Sequence, residues 1–204
     1  PVPETNPRYP SFGQSFARVG PRMDARGAAD HRRRLVEAAH GAVVEIGAGY
    51  GATFPFYPSV VTGVLALEPD PTLRELARAA YTDELNGLAN RSLGLRHLRA
   101  ATSPAAHGSI LVIDIDGFTD LNEALGPVEG NRILVALAKR LTRAVPRGSV
   151  VARIGGDEFL VLLPRMAQAH AEDLAREVLT GVSLPIDVAG TPAEVTASIG
   201  VAPL

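Results

Sequence analysis

Hydrophobic positions along this chain follow two different patterns, and the change between them falls near residue 81. The first part predicts a helix (28–40), a strand (42–46), a glycine loop (47–51), a second strand (60–67) and a second helix (70–80). Asp70 followed by Pro71 marks the start of the second helix, because aspartate caps a helix and proline suits its first position. Residues 1–27 are rich in Pro, Gly and Ser and lack a period, so they predict an irregular arm.

The second part has longer periodic segments and a hairpin signal. It predicts a loop at residues 83–91 that leads into a short helix. After these come a strand (109–115), an interrupted helix (118–141), two strands (150–154 and 159–163), a helix (167–179) and a last strand (195–201). The four-residue polar turn between the two middle strands favours a hairpin. Gly126-Pro127 predicts the interruption in the helix. This order favours an α/β (α+β) fold, a palm-like sandwich with an antiparallel central sheet.

Composition and charge exclude several classes of protein. The 204 residues carry a formal net charge of −2 with both signs mixed, which gives no reason to expect nucleic acid as a partner. There are no cysteines, so disulfides, thiolate catalysis and Cys-type zinc sites are excluded. The sequence shows no apolar run long enough for a membrane segment and no signal pattern, and we expect a cytoplasmic protein.

Acidic residues follow a buried-type strand and occupy the tip of the hairpin. Asp114-Ile115-Asp116 ends the strand, and Gly155-Gly156-Asp157-Glu158 forms the turn. Carboxylates at strand ends add nothing to a core, but they are the oxygen ligands of a hard cation such as Mg²⁺. Glycines in a turn allow positive φ and let the backbone approach a phosphate. An ordinary solvated Asp/Gly turn is the alternative at this point.

Five separate segments give a resemblance to a known family. They are Asp83 to Arg91 (DELNGLANR), Asp114 to Phe118 (DIDGF), Asn122 with Gly126 and Gly130, Arg153 to Phe159 (RIGGDEF), and Ala197 to Ala202 (ASIGVA). In this order they resemble the GGDEF domain of diguanylate cyclases, over about residues 83–204. The family condenses two GTP molecules into cyclic di-GMP, and its active species is a pair of domains.

The resemblance implies roles for individual residues. Asp114, the carbonyl of Ile115, Asp157 and Glu158 would bind Mg²⁺, and Asp157 or Glu158 would act in catalysis. Substrate contacts would come from Phe118, Asn122, Asn131, Gly155 and Gly156. These assignments imply GTP as substrate and a homodimer as the active form.

Three departures from the family pattern bear on activity. The second guanine-contacting position is Asn131 rather than aspartate, and an amide cannot accept two N–H groups as a carboxylate does, so we expect weaker guanine selectivity. The product-inhibition motif Arg-x-x-Asp would fall at Pro146 and Ser149, and neither residue fits it. The family continues beyond its last matched strand into a helix with phosphate-binding Lys and Arg, whereas this sequence stops at Leu204, so we expect weak turnover.

The glycine loop of the first part has a mechanism of its own. Glu45 lies near the end of a strand, Gly47 and Gly49 follow it, and Glu68 ends the next strand. Such an arrangement can hold a cofactor against the turn and bind its ribose through the second acid. Residues 31–80 resemble the start of a class I S-adenosylmethionine-dependent methyltransferase, a partial Rossmann-like βαβ fragment. By that resemblance these four residues would contact S-adenosylmethionine. A glycine turn used only for packing is the alternative.

The sequence therefore predicts two domains, residues 1–80 and residues 81–204. The first hypothesis is a Mg²⁺-dependent diguanylate cyclase-like domain with weak activity. The second is a non-catalytic GGDEF-type module for nucleotide binding or dimerisation, and the third is a methyltransferase based on the first part.

Overall fold

The computed structural model describes residues 12–58, 60–102 and 107–204. The chain divides into two compact units, Pro1–Tyr81 and Thr82–Leu204. The first eleven residues of the predicted arm lie outside the described part.

The first unit contains three helices and two strands among its described residues. Its elements are α1 (Phe12–Met23), α2 (Ala29–Val36), β1 (Gly41–Ile46), β2 (Val61–Leu67) and α3 (Pro71–Tyr81), with a π-helical turn at Asp24–Ala28 and a 3-10 turn at Phe54–Phe56. Asp70 caps α3 as predicted, because its Oδ1 accepts the backbone N–H groups of Thr72 and Leu73.

The prediction of an irregular arm is wrong from Phe12 onwards, where α1 begins. Gly13, Gly20 and Pro21 obscure the helical period in the sequence, but contacts within the unit favour the helix. Phe12 and Phe16 stack with ring centroids 5.6 Å apart. The backbone N–H of Gly13 donates to Asp70 Oδ2 at 3.1 Å, so residues far away in sequence hold the helix.

Strands β1 and β2 form a two-stranded parallel sheet with one uncovered face. The register pairs Val44 with Leu65 and Ile46 with Leu67. These four side chains share a face and are 59%, 60%, 82% and 46% exposed, respectively. The connection between the strands contains only the short turn at Phe54–Phe56 among its described residues, so a crossover helix of a βαβ unit is not seen there. The Rossmann-like part of the fold prediction is therefore not confirmed.

The second unit is an α/β sandwich whose central sheet is antiparallel, as predicted. Its elements are α4 (Arg91–Ala101), β3 (Gly108–Ile115), α5 (Phe118–Leu125), α6 (Pro127–Ala144), β4 (Val150–Arg153), β5 (Glu158–Pro164), α7 (Gln168–Val182), β6 (Ile186–Val188), β7 (Thr191–Ala193) and β8 (Ala197–Pro203). The central sheet has the strand order β4-β5-β3-β8, and β6 pairs with β7 in a small separate hairpin.

The main core lies between the sheet and helices α6 and α7. Alternate residues of β3 and β5 point into it, and β3 accordingly carries buried side chains at every second position. In β5 all residues from Phe159 to Leu163 are buried, because both faces of this strand are covered. Its largest members come from three elements, β3, α6 and β5: Leu111, Ile113, Ile115, Ile133, Leu134, Leu137, Leu141, Phe159 and Leu163. A smaller cluster of Ala152, Leu160 and Leu162 lies on the other face of the sheet, with Leu98 of α4 against it.

The predicted interruption of the long helix is confirmed at Gly126, which separates α5 from α6. Gly126 has φ 86°, a backbone angle that favours glycine, and Pro127 takes the first position of α6. In the described parts of the chain, no helix combines the length and apolar character that crossing a bilayer requires.

Candidate functional site

Strand register brings two acidic side chains to the same end of the sheet. Asp114 of β3 lies directly opposite Glu158 of β5. Directly opposed residues of antiparallel strands have side chains on the same face, with Cβ atoms about 5 Å apart. Asp114 is exposed and Glu158 is half-buried, so both carboxylates can reach a ligand at this edge.

Asp157 is joined to the same strand end through its backbone. The N–H of Ile115 donates to the carbonyl oxygen of Asp157 at 3.3 Å. The turn before Asp157 is closed by the N–H groups of Ile154 and Gly155, which both donate to the carbonyl oxygen of Glu158, at 2.9 and 3.3 Å. The structure thus places the hairpin tip beside the end of β3.

Gly155 and Gly156 serve different purposes in the turn. Neither has positive φ, so this part of the sequence-based reasoning is wrong for both, whereas no observation tests the approach of a phosphate. A Cβ on Gly155 would lie 2.3 Å from Glu158 Oε2, which means that the glutamate carboxylate folds back over this residue. A Cβ on Gly156 would meet nothing within 4 Å, so this position faces open space beside the acidic residues.

A half-buried ion pair holds the hairpin tip against the loop before α4. Arg153 Nη1 lies 3.3 Å from both carboxylate oxygens of Asp83. The same guanidinium donates from Nε and Nη2 to the carbonyl oxygen of Gly156. Arg91 adds a bond from its Nη1 to the carbonyl oxygen of Ile154, at 3.0 Å. Sequence reasoning quoted Asp83 and Arg153 as motif residues but gave neither of them this role.

Asp116 binds the neighbouring strand rather than joining the acidic pair. Its carboxylate accepts hydrogen bonds from the hydroxyls of Thr196 and Ser198, at 2.7 and 2.8 Å. These bonds favour the ionised form, that of Thr196 more than that of Ser198, and lower the pKa of Asp116 below its usual value.

Phe118, Asn122 and Gly130 meet where α5 faces α6. A Cβ on Gly130 would lie 2.1 Å from Asn122 Oδ1 and 3.4 Å from Phe118 Cζ, so only glycine leaves room for these side chains. Asn122 Oδ1 is buried without a hydrogen-bond partner. An unpaired buried acceptor costs free energy, typically about 1–3 kcal/mol, and an N–H group of a ligand would relieve it.

Asn131, the residue after Gly130, lines a cavity along the outer side of α6. The cavity has a volume of about 330 Å³, and its mostly apolar wall is formed by Leu85, Asn131, Arg132, Val135, Ala136 and Lys139. Asn122 and Phe118 are not among the lining residues, so the structure does not bring all predicted substrate contacts into one cavity. Leu85 and Lys139 had no role in the sequence-based prediction.

The acidic residues do not form a ready-made cage for a metal. Within the described ranges, no three His, Asp or Glu side chains lie close enough together to hold a metal ion. The donors at the strand end are instead carboxylates on two neighbouring strands and the backbone carbonyls beside them.

Comparison with known families settles the class of the second unit. Residues 80–204 match the diguanylate cyclase GGDEF domain family. The chain belongs to this family. The match includes the strand end at Asp114 and the hairpin tip at Gly155 to Glu158, and it starts three residues before the limit predicted from the sequence motifs.

Curated relatives and a solved structure agree with the GGDEF assignment. The bifunctional diguanylate cyclase/cyclic di-GMP phosphodiesterase MucR of Pseudomonas aeruginosa is 34% identical over 145 residues, 69% of this chain and 21% of MucR. Diguanylate cyclase DgcM of Escherichia coli is 36% identical over 136 residues, 63% of this chain and 32% of DgcM. The chain therefore spans about a fifth to a third of the length of these relatives.

The GGDEF fold is similar to that of diguanylate cyclase SiaD from Pseudomonas aeruginosa, whose structure was solved in complex with its activator SiaC. The TM-score is 0.59 at 30% sequence identity, and the similarity covers 64% of this chain and 52% of SiaD.

The glycine loop outside the GGDEF unit is closed by its own side chains. The Glu68 carboxylate accepts the backbone N–H of Gly49 at 2.6 Å and that of Asp70 at 2.8 Å. Tyr57 donates from its hydroxyl to Glu45 Oε2 at 3.2 Å, and burial, then the neighbouring carboxylate, raise the pKa of Tyr57 to about 12. The comparisons provide no support for a methyltransferase-like fragment here.

Proposed function

We propose that the GGDEF unit binds GTP with Mg²⁺ and condenses two GTP molecules into cyclic di-GMP. The observation that carries this proposal is the register of Asp114 opposite Glu158. Like charges placed directly opposite each other destabilise a sheet. A cation bound at the open end of the strands, between the two carboxylates and a polyanionic substrate, would offset this repulsion. The position of the two acids therefore favours a metal site.

The donor set at this strand end fits Mg²⁺. Asp114, Asp157 and Glu158 would supply carboxylate oxygens and Ile115 a main-chain carbonyl, all hard ligands of the kind that Mg²⁺ prefers. Magnesium usually takes one or two carboxylates and completes its shell with water and substrate phosphates, so a dedicated protein cage is not required. The ion would neutralise phosphate oxygens.

The acidic turn has the residues for the proton transfer. In the proposed reaction, the 3′-hydroxyl of one GTP attacks the α-phosphorus of the other, and pyrophosphate leaves. Asp157 or Glu158 would accept the proton of that hydroxyl. Phosphoryl transfer depends mainly on positioning and charge neutralisation. The ion pair of Asp83 with Arg153 supports this positioning, because it fixes the turn that carries both acids.

Guanine recognition is supported by the unpaired amide oxygen of Asn122. A buried oxygen without a partner is an acceptor ready for an N–H group of the base edge. Asn131 would contribute from the cavity along α6, and Phe118 would support the position of Asn122.

The active form would be a homodimer, since the proposed reaction joins two GTP molecules and the GGDEF unit of each protomer supplies one acidic strand end. One domain would then present its nucleotide to that of its partner.

A non-catalytic GGDEF module is the second candidate, and Asn131 favours it. An amide at this position lacks the two-acceptor edge of a carboxylate, which weakens the hold on the base. The acids Asp114, Asp157 and Glu158 are all present, however, and a module that only binds nucleotide has no need of a proton acceptor. We therefore place catalysis first.

A methyltransferase function for residues 31–80 is not proposed. Both oxygens of the Glu68 carboxylate already accept backbone N–H groups of this unit. S-adenosylmethionine at Glu45, Gly47, Gly49 and Glu68 stays a sequence-based hypothesis without further support.

The decisive experiment measures product and binding in the same samples. The purified protein is incubated with GTP and Mg²⁺, and cyclic di-GMP is quantified by chromatography while GTP binding is followed by calorimetry. Glu158→Gln should abolish product formation and retain binding, whereas Glu177→Gln, an exposed change on α7, should leave both unchanged. Binding by the parent protein without any product would establish the non-catalytic candidate instead.

A further inference from the structure

The cavity along α6 has two chemically different ends. Asn131 and Lys139 both line it, with Val135 between them on the helix. Residues at i, i+4 and i+8 form one stripe along a helix, and eight residues at 1.5 Å each separate the two ends by about 12 Å. An amide thus stands at one end of the cavity and an ammonium group at the other.

Helix geometry favours a Lys139 side chain directed towards the Asn131 end of the cavity. Side chains of an α-helix tilt towards its N-terminus, and Val135, one turn before Lys139, lines the same cavity. Arg132, the other cation of the lining, is paired with Glu129 at 3.0 Å. Lys139 makes no ion pair within the described ranges, and its charge is available to a ligand.

Purines differ at the edge that such a cation would meet. Guanine presents two acceptors there, O6 and N7, whereas adenine presents an amino donor in place of O6. An ammonium group can only donate hydrogen bonds. It therefore favours a 6-oxopurine and disfavours adenine.

Resting on the proposed function, we propose that Lys139 sets the preference for guanine by donating hydrogen bonds to its O6 and N7. The cavity is open to solvent and has a volume of about 330 Å³, at the small end for ligand sites. The O6 and N7 edge of the base lies in the cavity towards Lys139, its N–H edge lies at the Asn131 end next to Asn122, and the phosphates lie outside the cavity. Discrimination against adenine then comes from the O6 edge, where the sequence-based prediction considered only the N–H edge.

The test compares three nucleotides that cannot react. The 3′-deoxy forms of GTP, ITP and ATP lack the attacking hydroxyl, and inosine keeps O6 and N7 while losing the 2-amino group. Their dissociation constants are measured by calorimetry with Mg²⁺ for the parent protein, Lys139→Met, Lys139→Arg and Arg147→Met. The last is a charge-matched control, an exposed cation outside the cavity.

In the parent and in Arg147→Met, the GTP and ITP analogues should bind about tenfold more tightly than the ATP analogue, a factor within the range for a good contact to a base edge. Lys139→Met should reduce this preference to about twofold without weakening the ATP analogue, and Lys139→Arg should retain it. Equal weakening of all three nucleotides would place Lys139 at the phosphates and overturn the inference. An unchanged preference in Lys139→Met would overturn it as well, while leaving the proposed function intact. Failure of the parent to bind any of the three would refute both.

Discussion

At the scale of single residues, the two glycines of the hairpin tip show that identical residues in adjacent positions can be required for unrelated reasons. Gly155 leaves space that the Glu158 carboxylate occupies, whereas Gly156 borders open space. The fold alone explains the first glycine. The second is explained only by something that approaches from outside, and a phosphate is the group that the proposed function supplies.

Alanine at each of these positions should therefore have a different effect. Gly155→Ala should displace the Glu158 carboxylate and lower cyclic di-GMP formation at least tenfold, because the added Cβ takes the place of Oε2. Gly156→Ala should weaken GTP binding, and its free energy of unfolding should stay within about 0.5 kcal/mol of the parent value, as for other surface changes. Urea unfolding and calorimetric GTP titration check both. Unaltered GTP affinity in Gly156→Ala would separate this glycine from the phosphate path.

Asp116 gives a pH-dependent prediction at the same scale. Its folded-state pKa lies below that of an unfolded aspartate, about 3.9, because the Thr196 and Ser198 hydroxyls bind the ionised form. The resulting stabilisation is present above the unfolded pKa and is lost as the pH falls through the folded pKa. Thr196→Val should raise the pKa of Asp116, and Ser198→Ala should raise it less. A carboxyl-carbon NMR titration measures both shifts, and a larger effect from Ser198→Ala would reverse the assigned order.

At the scale of elements, the ion pair of Asp83 with Arg153 joins the loop before α4 to the end of β4. The two side chains are only 20% and 15% exposed, so solvent screens the pair less than it screens a surface pair. The Arg153 guanidinium also binds the Gly156 carbonyl, so Arg153 connects a loop, a strand and the acidic turn.

Removing the Arg153 guanidinium should affect both stability and catalysis. Arg153→Met should lower the free energy of unfolding by about 2 kcal/mol, since it leaves the Asp83 carboxylate half-buried without its cation. It should also decrease cyclic di-GMP formation. A double-mutant cycle with Asp83→Asn in urea unfolding should give a coupling energy of about 1 kcal/mol. Additive effects of the two changes would show that the pair contributes no coupling.

Elements with strong local signals could be predicted from the sequence, and elements held by distant contacts could not. The β4–β5 hairpin and the break at Gly126 follow from short-range patterns and are found as predicted. Helix α1 could not be predicted, because its contact from Gly13 to Asp70 spans 57 residues. The β6–β7 hairpin was missed because its strands have only three residues each.

The same division applies to the candidate site: residues in local sequence motifs could be predicted, and features that depend on distant contacts could not. Asp114 and Glu158 belong to motifs that are visible in the sequence, and the sheet register brings them together. The cavity containing Lys139 depends on how Leu85 approaches α6, and no local pattern carries that information.

At the scale of the whole molecule, the two units differ in optical probes. The chain has no Trp, and its four Tyr, at positions 9, 50, 57 and 81, all belong to the unit Pro1–Tyr81. Tyrosine fluorescence consequently reports on the first unit alone, whereas far-ultraviolet circular dichroism reports on both.

This difference allows the stability of each unit to be measured within one intact chain. Leu73→Ala should destabilise the first unit by about 2–5 kcal/mol, since Leu73 is 2% exposed, and should shift the tyrosine transition in urea. Leu137→Ala in the core of the second unit should shift the circular dichroism transition and leave that of tyrosine in place. If Leu137→Ala moved the tyrosine transition by the same amount, the two units would unfold as one cooperative body.

The uncovered face of the β1–β2 sheet has a consequence for how the protein behaves as a solute. Val44, Ile46, Leu65 and Leu67 add contiguous apolar surface, and excluded salts such as sulfate strengthen the burial of such surface. The protein should therefore precipitate at lower ammonium sulfate concentration than the Ile46→Thr/Leu65→Thr variant. Solubility curves of the two proteins, recorded at the same pH, measure the difference, and coincident curves would mean that this face is covered in solution.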